Sequence, residues 1–173
     1  MICCPTSKVA KPHVLGAIYR VQKKGGAKPE NARGLELSWE KPQISWLSDG
    51  RPAVAKRAID ALAKADNFDA LRTATARIPA LWALHRIPGQ AARAAVREFL
   101  SDGSADVRVA ALHSVGLWRD PAAVEPLIGL LRGDARQSRL AAMALGRIGD
   151  RRAVKPLVEA GSKKVDTFLR HAI

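Results

Sequence analysis

Aromatic side chains are scarce in this chain, at 5% of 173 residues, and cysteine occurs only as the neighbouring pair Cys3 and Cys4. Adjacent cysteines bridge only with strain, and two thiols without a His or Cys cluster beside them make poor metal ligands. A His-x-x-x-His spacing, a Gly-rich phosphate loop and a Ser/His/Asp pattern are all missing, so no catalytic, metal or cofactor-binding set can be assigned. The four histidines (His13, His85, His113 and His171) are scattered, and one inside a helical segment, such as His113, reads as a packed or surface residue. No apolar run approaches the roughly 20 residues of a membrane span, and the N-terminus lacks an apolar signal core.

Acids are short as well. Asp and Glu number 16 against 29 Lys and Arg, a net charge of +13. Such a balance suits nucleic acid or an acidic protein partner. The basic side chains are spread out, however: the stretch from Met1 to Arg33 holds seven against one acid, and the rest stand near helix ends. Arg151, Arg152 and Lys155 form the densest group of these, either a solvated helix start or a contact surface for an acidic partner.

What the chain has in abundance is repetition. Arg77, Arg108, Arg139 and Arg170 recur at a constant i to i+31 spacing, with Ala80, Ala111 and Ala142 in one column and Leu81, Leu112 and Met143 in the next. The block Asp120-Pro121-Ala122-Ala123-Val124-Glu125-Pro126-Leu127 returns, at i+30, as Asp150-Arg151-Arg152-Ala153-Val154-Lys155-Pro156-Leu157. A fixed period near 31 with two helical stretches per unit predicts an all-α solenoid of stacked helix pairs. Val107, Ala110, Ala111, Leu112 and Val115 share one face of a first helix, with Gly116 expected to stop it. Asp120 and Asp150 then stand as N-caps, with Pro121 just inside. Val124, Leu127, Ile128, Leu130 and Leu131 line the second helix, closed by Gly133-Asp134. The same key predicts helices over 52–65, 67–72, 77–87 and 91–100, the 77–87 helix starting near Ile78 or kinked at Pro79. Flanked by core residues, the arginine column is expected to fix the stacking of neighbouring repeats, with Asp106, Asp120 and Asp150 as available partners. Trp82 and Trp118 read as packing residues rather than free stacking surfaces.

The period and the Asp-before-Val-Pro-Leu turn resemble the HEAT-like repeats of phycobilisome lyases. Residues 42–173 are assigned to that region and 1–41 to an extended segment with a basic linker. Within the latter, residues 16–21 read as a short strand, which needs a sheet to be stable. Cys3-Cys4-Pro5-Thr6-Ser7, the run from Lys11 to Val21, Arg33-Gly34-Leu35 and Trp39 resemble a joint in PVC-type haem-binding CxxCH proteins, also described as membrane-bound dehydrogenases. There such a stretch links a β-propeller to HEAT-like repeats, and Trp82-Ala83-Leu84-His85-Arg86-Ile87 and Leu169-Arg170-His171-Ala172 fit the same region. The resemblance implies a middle piece cut at both ends, partnered by neighbouring domains and extracytoplasmic. The family's Cys-x-x-Cys-His haem motif is absent, so no cofactor is expected on this chain. A free-standing module for nucleic acid or an acidic protein, and a tetrapyrrole lyase-type scaffold with Cys3 and Cys4 as its nucleophiles, stand as alternatives.

Overall fold

The computed structural model describes residue 25 and residues 30–65, 67–162 and 167–173. The expected strand at 16–21, with Cys3, Cys4 and His13, lies outside them. Among the described residues there are nine α-helices and no strand: α1 Pro52–Lys64, α2 Phe68–Thr73, α3 Arg77–Arg86, α4 Gln90–Glu98, α5 Ala105–Trp118, α6 Val124–Leu130, α7 Ala135–Ile148, α8 Val154–Gly161 and α9 Thr167–Ala172. The odd-numbered helices pack one on the next from α1 to α9, with α4 lying against α3 and α5, and α6 against α7. This is an all-α solenoid.

Small residues set the spacing within it. Ala80, Ala111 and Ala142 are fully buried, and Leu81, Leu84, Val96, Leu112, Val115, Val124, Leu127 and Leu145 fill one continuous core between the rows. Each such leucine contributes about 1.5–3 kcal/mol when fully buried. With neighbours on both sides, α5 is buried round most of its circumference: Val107, Ala110, Ala111, Leu112, Ser114, Val115 and Gly116 are all inside.

The helix ends depart from expectation in two places. Gly116 does not stop α5; it lies inside the helix, where a Cβ would stand 3.2 Å from Ala144 Cβ and 3.3 Å from its Cα. It is a point of close approach between α5 and α7. The helix ends instead at Arg119, whose φ of 51° is left-handed, just as α7 ends at Gly149 with φ of 72°. Asp134, read as closing the second helix, starts the next one. Its carboxylate accepts from the Gln137 backbone N–H at 2.9 Å and from the Gln137 side-chain amide. That makes Asp134 the N-cap of a helix start. As expected, α3 begins beside Ile78, at Arg77, so Pro79 falls in the first turn, where a missing N–H costs no helical hydrogen bond.

The residues before α1 are tied onto it. Trp39 donates through Nε1 to the Gly34 carbonyl at 2.8 Å, meets Trp46 edge-on at 4.9 Å, and has the Arg57 guanidinium 4.1 Å above its ring. Arg51 gathers Asp49, Glu36 and the Asn31 carbonyl. Its guanidinium holds the Asp49 carboxyl at about 2.

Candidate interaction surface

The helix bounds of α5 and α7 repeat at i+30, whereas the arginines repeat at i+31. Arg108 is the fourth residue of α5 and Arg139 the fifth of α7, a rotation of about 100° round the helix. Arg108 and Arg139 therefore hold different positions on their helices. Arg77 donates from Nε and Nη2 to Asp102 Oδ2 at 3.0 and 2.7 Å, and its guanidinium lies 4.2 Å from the Phe99 ring. Arg108 donates to Gln137 Oε1 at 3.0 Å and to the carbonyls of Asp102 and Gly103 at 2.7 and 3.0 Å. Both join one repeat to the next. Arg139 is half-buried and Arg170 exposed.

The acids named as partners for that column have other arginines. Asp106 meets Arg136 at 3.1 Å, Asp120 meets Arg97 at 2.6 Å, and Asp150 meets Arg152 at 2.8 Å. Asp120 and Asp150 also accept from the backbone N–H two residues on, capping short 3-10 turns at Pro121–Ala123 and Arg151–Ala153 that lead into α6 and α8. Hydrogen bonds from the Arg152 side chain and backbone hold the Asp150 carboxyl at about 2. Within the Arg151, Arg152 and Lys155 group, Arg152 thus serves Asp150 and Glu125, while Lys155 lies 3.9 Å from Glu159. Arg151 faces solvent.

The two tryptophans meet at His85. Its ring stacks on Trp118 at 4.5 Å with an interplanar angle of 11°, and its Nδ1 lies 2.8 Å from Oγ of the buried Ser114. Trp82 meets His85 edge-on at 5.5 Å and His113 at 5.9 Å, and Arg93 of α4 lies 5.5 Å from the Trp118 ring. These rings come from two repeats, and no spacing rule connects residue 85 with 114 and 118. Only the helix register brings them together. Burial, with Arg86 and His113 nearby, pushes the His85 imidazole below 6.5. Unfolding restores its ordinary basicity, so the unfolded chain binds more protons as pH falls through that value, and His85 stabilises the fold less. Urea melts of the wild type should therefore lose stability from pH 7.5 to 6 more steeply than those of His85→Asn. Parallel slopes would rule out His85 as the source.

No group of three or more His, Cys, Asp or Glu among the described residues is placed to hold a metal ion. No described helix is long and apolar enough to cross a membrane. The exposed large apolar residues on the helices are Leu117, Met143, Val154 and Val158. The last two lie one turn apart on α8, at 59% and 64% exposure, where Val124, the counterpart of Val154 on α6, is fully buried and Ile128, that of Val158, is half-buried.

A family model described as HEAT repeats matches residues 74–142 and 100–173, together more than half of the chain. No curated protein sequence gives a significant match.

Proposed function

Because the chain belongs to the HEAT-repeat family, we propose that it works as a non-catalytic scaffold that holds protein surfaces together. Such stacks offer extended faces on which partners lie. The α8 face carries the proposal. Val154, Leu157 and Val158 repeat the residue types of Val124, Leu127 and Ile128, which α6 packs toward α7 and the following turn. On α8, Val154 and Val158 are exposed, whereas Val124 on α6 is fully buried. An apolar helix face of this design suits another helix pair of the same kind.

Sedimentation velocity checks it. The chain should associate as its concentration rises, and Val154→Asp with Val158→Asp should abolish association without lowering the melting temperature. A chain that stays monomeric throughout removes α8 as a contact face.

In its finer form the proposal makes the stack a spacer within a multidomain, haem-containing dehydrogenase-like protein. The resemblance along residues 11–21 supports it. The genomic frame should then run into propeller sequence on one side and helical repeats on the other. Stop codons on both sides would sink it.

A further inference from the structure

We propose that the edge of the stack where α3, α5 and α7 end is a contact surface for an acidic peptide segment that carries apolar side chains. The proposal rests on the scaffold reading and gives the scaffold a partner chemistry.

Cations gather on this edge by topology. Arg119 follows α5 directly, Arg147 stands in the last turn of α7, and Arg151 opens the turn after it. Arg93 joins them through its contact with Trp118. Arg147 lies over the end of α5, with its Cδ 3.8 Å from where a Cβ on Gly116 would stand.

The carboxylates nearby are already engaged. Asp60 pairs with Arg86 at 2.7 Å and Asp120 with Arg97 at 2.6 Å, while Arg152 meets both Asp150 and Glu125, at 2.8 and 3.3 Å. Arg93, Arg119, Arg147 and Arg151 have no carboxylate partner among the described residues. Four guanidiniums on one edge attract an anionic partner and set its orientation.

Apolar surface lies among these charges. Gly116 approaches Ala144, so their chain neighbours Leu117 and Met143, both exposed, sit on adjoining helices. Phosphates would gain nothing from them, whereas an apolar side chain of a peptide would. The rings also argue against bases, because His85 and Arg93 already lie against Trp118. Stacking on a nucleobase needs an open aromatic face.

Fluorescence anisotropy at low salt tests the surface, using the full chain and a labelled oligoglutamate peptide containing one Phe and one Leu. Arg119→Glu with Arg151→Glu should weaken binding by about tenfold or more, whereas Arg132→Glu with Arg170→Glu, an equal charge change at the opposite edge, should cost about twofold at most. Leu117→Ser with Met143→Ser should also weaken binding, and melting curves confirm that each variant is folded. Equal losses in the two charge variants, no binding by the wild type, or tighter binding of an oligonucleotide of matched charge would each overturn the proposal. The α8 association experiment uses a different face, so it can succeed when this one fails.

Discussion

Arg97→Ala should lower the melting temperature by about 10 °C, because it strands a carboxylate inside the stack. The Asp120 side chain is 1% exposed and accepts from Arg97 Nη1 at 2.6 Å. Removing one partner of a buried ion pair costs about 3–5 kcal/mol, since the other charge stays desolvated without compensation. Arg97 keeps 22% exposure, which places the loss at the lower end. At this chain length each kcal/mol moves the melting temperature by about 2–4 °C. Adding Asp120→Asn to Arg97→Ala should recover most of the loss. Asparagine removes the charge yet still accepts from the Ala122 N–H, which Asp120 now does at 3.1 Å. A single variant that melts within about 2 °C of the wild type, or a double variant without recovery, would show that the pair adds little.

Two glycines at matching repeat positions should respond in opposite directions. Gly116→Val forces a Cβ to within 3.2 Å of Ala144 Cβ and 3.3 Å of its backbone Cα. Backbone cannot rotate aside as a side chain can, so α5 and α7 must separate. Overpacking of this kind costs about 1–3 kcal/mol, and contact with a helix backbone favours the upper part of that range. Gly146, the counterpart of Gly116 inside α7, has nothing within 4 Å of an added Cβ. Gly146→Ala should stabilise by about 0.8–1 kcal/mol, the helix-propensity difference between the two residues. Chemical denaturation of both variants decides the matter. If Gly116→Val proves neutral, Gly116 is not a packing point.

The sequence makes much of this architecture legible. Periodic Ala and Leu columns disclose the helix pairs, and Asp120 and Asp150 stand at turns because carboxylate caps have a local signature. Gly116 misleads for a physical reason: a glycine before a turn can either end a helix or admit a neighbour, and the sequence does not separate the two. Aligning Arg119 with Gly149 is the cue that places the helix end three residues later. The Arg97–Asp120 pair has no such cue, since residue 127, one repeat beyond Arg97, is a leucine. The His85–Trp118 stack depends on the relative register of α3 and α5, which the columns of repeated residues do not specify at positions 85 and 118.

The polar ties between repeats have a mechanical consequence. Arg72–Glu98, Arg77–Asp102, Arg97–Asp120, Arg108–Gln137, Arg136–Asp106 and Arg152–Glu125 join residues 23 to 30 apart in the chain. Each bond stitches one repeat to its neighbour and goes no further. A rod fastened only joint by joint bends by the sum of small hinge angles, and its compliance grows with every unit. Pulled from its ends, it should lengthen as a soft spring and then yield one repeat at a time.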